Sequence, residues 1–379
     1  MKGHYFKRGK TWTYVVDIGK DHTGKRKQKF KGGFKTKKEA EKACAELITQ
    51  IENEQYIEPS KIRLKDFILE FMEEHEKQTI RPTTYRTQIN IIRKHIIPNL
   101  GHYELQKLTP MIIQKFYNQK AKEGYSGSYI KLMHAILCKT LRTAHEWEVV
   151  NKNVTTLVRS PRIERKEVQT WTIDEAKRFL SVVQNRRLYI AYVLAIFTGM
   201  RKGEILGLQW KDIDLETKRI SVRRTLIKDD NGKLTFDDTK TFGSKRLISL
   251  SDFVVSSLKK RKAQLNEMKL RLGKGFQDFD LVVCNNVGTP LDLGDLNRDL
   301  NYVIEKYDFP KIKFHALRHT HATLLLLLGE NPKVVAERLG HSSISITMDT
   351  YSHVTPTMQQ QAADKLDQAI NLVNTKQSL

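Results

Sequence analysis

Residues 11–18 alternate in polarity. Trp12, Tyr14, Val16 and Ile18 fall on one side, and Thr11, Thr13, Val15 and Asp17 on the other, the period of two that marks a half-buried strand. Asp21-His22-Thr23-Gly24 reads as a turn, and Lys25–Phe34 as a second strand with Lys25, Lys27, Lys29 and Lys31 on one face. Thr36 and Glu39 form a capping box that opens a helix. From residue 64 the period changes. Leu64, Phe67, Ile68, Phe71 and Met72 follow helical spacing, as do Ile89, Ile92 and Ile96, with Pro98 and Gly101 ending that second helix. Thr109-Pro110 is an N-cap with proline at the first helical position, and Ser126 to about Trp147 gives a fourth, longer helix.

Residues 159–170 are polar and charged around Pro161, as expected of a linker. Beyond them Thr172 and Glu175 cap a helix, and Leu188–Phe197 is a buried apolar helix ending at Thr198-Gly199. Arg219–Ile227 and Leu234–Leu250 read as strands joined by the turn Asp229-Asp230-Asn231-Gly232, with a second reversal at Gly243-Ser244. Helical spacing returns from Leu293. The pattern predicts a mainly helical, multidomain α+β chain divided as 1–58, 64–158, the linker 159–170, and 171–379.

Charge changes the picture most. Lys and Arg number 66 against 43 Asp and Glu, a net charge of +23. Such an excess repels itself unless a polyanion neutralises it, and nucleic acid is the leading partner. The first 45 residues alone hold 14 basic residues against Asp17, Asp21, Glu39 and Glu41, and the lysine stripe favours DNA contact over a merely solvated face. Arg86, Arg93, Lys94, Lys131, Lys139 and Arg142 punctuate the helices of the second segment and are read as facing DNA, although any wet bundle would look similar. Leu188–Phe197, the longest apolar run, is about half of the roughly 20 residues a membrane helix needs. MKGHYFKRGK has no apolar secretory core, and Cys44, Cys138 and Cys284 form no CxxC pair, so a reducing cytoplasm is expected and membrane and disulfide classes are not.

Two clusters carry chemistry. In Thr198-Gly199-Met200-Arg201-Lys202-Gly203-Glu204, an arginine follows a glycine break at a helix start, a ready anion site; on this segment alone an exposed arginine reads equally well. The second cluster is His315-Ala316-Leu317-Arg318-His319-Thr320-His321, then Leu339-Gly340-His341, then Tyr351. His315 and Arg318 point the same way on a helix. No Asp or Glu sits among the histidines at zincin spacing and no cysteine is near, so phosphate chemistry run by protons and positive charge is expected over metal ligation.

Arg201, His315-x-x-Arg318, Leu339-Gly340-His341 and Tyr351, taken as an ordered set, resemble the tyrosine recombinase (phage integrase) family, most nearly integrases of Gram-positive temperate phages and conjugative transposons. The resemblance covers the whole chain. It implies an arm-site DNA-binding domain at 1–58 with a three-stranded sheet plus helix, of which the pattern shows two strands. It further implies a helical core-binding, SAM-like domain at 64–158 and a mixed α/β catalytic domain with a C-terminal tail helix at 171–379.

By the same resemblance Tyr351 is the nucleophile that forms a 3′-phosphotyrosine bond, without ATP. Arg201 and Arg318 hold the non-bridging oxygens, His315 assists proton transfer, His341 hydrogen-bonds the phosphoryl oxygens, and Lys240 is the general acid for the 5′-oxygen. Lys233 and Lys245 share the hairpin system of Lys240, and the residues alone do not choose among the three. Tyr351 stands ten residues after His341, one more than in several family members, so Ile344–Thr350 must absorb the extra residue. The implied partners are double-stranded DNA at core-type and arm-type attachment sites, a homotetramer on DNA, an excisionase and a host DNA-bending protein, with no cofactor. The rival readings are a non-catalytic architectural or regulatory DNA-binding protein, a chromosome-dimer resolvase, against which the extra N-terminal module speaks, and a metal-dependent nuclease, which lacks the acidic cluster a two-metal site requires.

Overall fold

A computed structural model describes residues 3–20, 24–53, 60–160, 169–229, 232–238, 245–350, 359 and 363–368. The chain divides into two compact units, Met1–Arg165 and Lys166–Leu379. The segments expected as separate modules at 1–58 and 64–158 therefore share one unit, although each has its own hydrophobic core.

The first unit begins with an antiparallel sheet in the order β1 (Gly3–Arg8), β2 (Thr11–Lys20), β3 (Arg26–Phe34). Tyr14 and Val16 pack on Cys44 and Leu47 of α1 (Lys37–Glu52), whose N-cap Thr36 accepts a hydrogen bond from the Glu39 amide. The pattern hides β1 because aromatic residues point both ways: Tyr5 joins the core while Phe6 stays exposed. Lys29 and Lys31 pair across from Val16 and Tyr14, so the lysine stripe lies on the side that α1 covers. The open face carries Phe6 and Phe30 instead, opposite Thr13 and Val15.

The rest of this unit is helical: α2 (Leu64–Glu70), α3 (Lys77–Thr79), α4 (Pro82–Ile91), α5 (Ile97–Leu100), α6 (Pro110–Lys122) and α7 (Gly127–Glu146). Two π-helical stretches, Phe71–Glu76 and Ile92–Ile96, join α2 to α3 and α4 to α5. The second helix passes through Pro98 and ends at Leu100, with the expected Gly101 as its C-cap. Proline lacks an N–H and crowds the carbonyl four residues back, here Lys94, and the widened π turn falls at that point.

In the second unit α8 (Ile173–Val183) opens with a complete capping box from Thr172 and Glu175, followed by α9 (Tyr189–Thr198) and α10 (Lys202–Leu206). Short strands follow: β4 (Ile213–Asp214), β5 (Arg219–Val222), β6 (Arg224–Lys228), β7 (Leu234–Asp238) and β8 (Arg246–Ser249). The two strands expected from the pattern are each divided, because the chain changes partner at Arg223: β5 pairs with β4 and β8, while β6 pairs with β7. Gly243-Ser244 lies outside the described residues. The helices α11 (Asp252–Leu272), α12 (Asp295–Tyr307), α13 (Phe314–Leu327), α14 (Pro332–Leu339) and α15 (Ile344–Thr350) complete the unit. Its core holds Trp171, Phe179 and Phe314 around the apolar α9. No helix among the described residues is long and apolar enough to cross a membrane.

Candidate active site

The site forms where α9 and α14 end. Helix α9 is buried from Ile190 to Ile196, so it can end only by a sharp exit, which Gly199 provides at φ 63°. A Cβ there would stand 2.6 Å from His321 Cδ2 and 2.7 Å from Leu339 Cδ2, so both the conformation and the space require glycine. Two residues on, Arg201 becomes the N-cap of α10. Gly340, at φ 68°, ends α14 in the same way immediately before His341.

Each glycine carbonyl receives an arginine. Arg318, buried on α13, donates through Nη1 to the Gly199 oxygen at 2.7 Å. Arg201, half-exposed, donates through Nη2 to the Gly340 oxygen at 3.2 Å. Two guanidiniums are thereby fixed by backbone atoms, and planar forks of this kind match phosphate oxygens.

The imidazoles gather around these charges. His341 shares a 2.8 Å hydrogen bond through Nδ1 with the buried Thr347 hydroxyl of α15. Burial first, and then the charges of Arg318 and Arg201, push its pKa down to about 4. His315, in the first turn of α13, is lowered by desolvation and then by the same two arginines. His319 stands edge-on to His315 with ring centroids 5.0 Å apart and is pushed down to about 4, chiefly by burial. His315 and His341 are therefore neutral at pH 7, able to accept a proton or to share one. His321 belongs elsewhere. Its Nδ1 lies 2.8 Å from the Ile196 oxygen in the core, and burial pushes it down to about 3. Among the described residues no group of histidines, cysteines and carboxylates could hold a metal ion.

The structure thus brings together Arg201, His315, Arg318 and His341. Lys240 and Tyr351 lie outside the described residues, as does the tail from Thr355 apart from 359 and 363–368. Residues Ile344–Thr350, which must absorb the extra residue ahead of Tyr351, form a helix. Of the basic residues read as DNA-facing, Arg86, Arg93, Lys94, Lys131 and Arg142 are exposed or half-exposed on the bundle. Lys139 is different: it pairs with Glu76, which is completely buried, so its charge answers a structural need.

Two site residues were missed. Glu204, 3 % exposed, accepts from the Arg201 amide at 2.8 Å and from Arg201 Nη1 at 2.9 Å. It also accepts from Arg246 Nη2 at 2.9 Å and Nη1 at 3.2 Å. The signal for Glu204 was present, three residues after Arg201 and at the position from which a side chain reaches back to an N-cap amide. Arg246 gave no signal, being one of many basic residues on a polar strand.

Comparison with known proteins agrees along the chain. The profile of the Phage integrase family matches residues 169–358, that of an Arm DNA-binding domain matches 4–51, and that of a Phage integrase N-terminal SAM-like domain matches 63–121. A protein described as Tyrosine recombinase XerC-like, from Caldanaerobacter subterraneus subsp. tengcongensis, is 31% identical and covers 97% of this chain and 98% of its own length. The ICEBs1 integrase of Bacillus subtilis is 30% identical over 88% of this chain and 90% of its own. Among solved structures, the Tn1549 transposon integrase in complex with transposon right end DNA shares the fold at a TM-score of 0.68 and 22% identity, covering 79% of this chain and 99% of that one.

Proposed function

The chain belongs to the phage integrase family and is a site-specific tyrosine recombinase, and from that premise we propose the following course of reaction. It cuts and rejoins duplex DNA through a 3′-phosphotyrosine intermediate, integrating and excising a mobile element. The observation that carries this reading is the pair of backbone-anchored guanidiniums, Arg201 and Arg318, with two neutral imidazoles beside them.

A phosphodiester repels an oxygen nucleophile until its charge is neutralised. Arg201 and Arg318 take the non-bridging oxygens and stabilise the additional charge of the pentavalent transition state. The Tyr351 oxygen forms a bond to phosphorus as the bond to the 5′-oxygen breaks, so one ester replaces another and no ATP is consumed. His315, neutral because of its burial and its cationic neighbours, accepts the tyrosine proton, and Lys240 gives one to the departing 5′-oxygen. When the Thr347 hydroxyl donates to His341 Nδ1, the imidazole proton sits on Nε2 and is offered to the phosphoryl oxygen.

The partners in this reading are core-type and arm-type attachment sites, three further copies of the chain on DNA, an excisionase and a host DNA-bending protein. Residues 1–58 bind the arm sites and residues 64–158 the core sites, with the catalytic work in 171–379. On a nicked core-site duplex that loses its 5′-hydroxyl fragment, the full chain should accumulate a covalent protein–DNA adduct. Tyr351→Phe should bind that duplex and form none, and adduct at normal yield from that variant would mean another residue attacks. The adduct should also form in excess EDTA; cleavage lost there and restored by magnesium or zinc would sink the metal-free scheme. A purely architectural DNA-binding protein would trap no adduct at all.

A further inference from the structure

Arginine 246 stands one step behind the phosphate-facing groups. It is the first residue of β8, and its side chain is only 6 % exposed, against 38 % for Arg201. Toward the described residues its guanidinium is turned inward. Nη1 and Nη2 grip the two oxygens of Glu204, and Nε donates to the Arg338 carbonyl at 2.8 Å, in the last turn of α14. Its Cδ lies against Gly340, where a Cβ would come within 3.1 Å, so it also packs beneath the carbonyl that Arg201 uses.

The charges make the consequence. Arg201 touches one carboxylate, Glu204. Were these two alone, the pair would be neutral, and a neutral pair has little to offer an incoming phosphate. Arg246 adds a second cation to the same carboxylate from the buried side, so the trio carries a net positive charge with Arg201 on its outer side. Burial works to raise the pKa of Glu204; the hydrogen bond and charge of Arg246, together with the amide and charge of Arg201, outweigh it and keep the carboxyl below its usual range.

We propose that Arg246 is a positioning residue that neutralises Glu204, leaving the charge of Arg201 available to the scissile phosphate. It acts through Glu204. The assignment rests on the strand-transfer reading given above. It differs from a folding role in a measurable way, because a residue needed only to cancel a carboxylate becomes dispensable once that carboxylate is gone.

The experiment measures covalent adduct formation by the full chain on the nicked core duplex, with core-site binding measured beside it. Arg246→Gln should bind normally and form adduct about 100-fold more slowly, the lower end for losing one transition-state charge partner. Adding Glu204→Gln to that variant should recover at least tenfold. A duplex with a methylphosphonate at the scissile position, which lacks one anionic oxygen, should likewise shrink the Arg246→Gln defect to within about tenfold, as it should for Arg201→Gln. Arg246→Lys, which keeps the charge, should fall between wild type and Arg246→Gln, and it serves as the probe if the glutamine variant does not fold. If the double variant is no faster than Arg246→Gln, or the defect is the same on both duplexes, Arg246 is architectural and the proposal fails. If the unaltered protein forms no adduct, the recombinase chemistry fails and takes this assignment with it.

Discussion

The arginines around Gly199 and Gly340 and the lysines of β3 are held differently. Around Gly199 and Gly340 each arginine has fixed acceptors: Arg318 on one carbonyl, Arg201 on another, Arg246 on Glu204 and a third carbonyl, and Arg338 on the carbonyls of Phe197 and Ser249. In the amino-terminal unit the lysines of β3 stand along the edge of the sheet, half-exposed or exposed on long stems. The difference matches two tasks. Stabilising one transition state needs cations whose positions do not change as the charge develops. Holding a long polyanion needs many cations, none of which must be placed to an ångström.

The sharpest way to break this comparison is to loosen one fixed cation while keeping its charge. Arg318→Lys retains the charge but cannot reach the Gly199 carbonyl and a phosphate together. Adduct formation should fall by about 100- to 1000-fold with core binding unchanged. A loss below tenfold would show that charge alone suffices there.

The complementary change strips the lysines of β3. Lys27, Lys29 and Lys31 replaced together by Gln should reduce the salt slope of arm-site binding by about 0.9 for each phosphate no longer neutralised, while cleavage of a core duplex stays within about twofold. An unchanged slope would move DNA contact to the open face that bears Phe6 and Phe30.

A third measurement reads the burial of the imidazoles, and then the cations beside them, through protons. His319 and His341 titrate near 4 in the folded protein and His321 near 3, each below the ordinary 6.5. Above pH 6.5 all are neutral, folded or unfolded, and pH has no effect through them. As pH falls from 6.5 toward 4 the unfolded chain takes up protons that the folded unit refuses, so its stability falls. The melting temperature should drop through that window, and His341→Asn should flatten the drop. The smallest effect is a control: Thr172→Ala removes the cap of α8 and should cost about 1 kcal/mol of stability without touching catalysis.

These contrasts also explain what could be read from the sequence. The turn that delivers Arg201 was legible because a buried helix ending in glycine is a local event. The helices of the bundle were legible from spacing for the same reason. Arg246 was not, since its role depends on a carboxylate 42 positions away. The pairing of Lys139 with the buried Glu76, 63 positions away, was not legible either, since no periodicity reveals it. Strand β1 escaped because Phe6 occupies the open side of the sheet, where an alternating pattern calls for a polar residue.

The two glycine carbonyls that anchor Arg201 and Arg318 have one more implication. They sit at the carboxyl ends of α14 and α9, where aligned peptide dipoles accumulate negative charge. Most phosphate sites use the opposite end of a helix, where bare amides suffice to attract an anion. At these two carbonyls the bare backbone is hostile to phosphate, and the guanidiniums invert its polarity. Removing either arginine therefore does more than delete a contact: it uncovers a pole that pushes the substrate away.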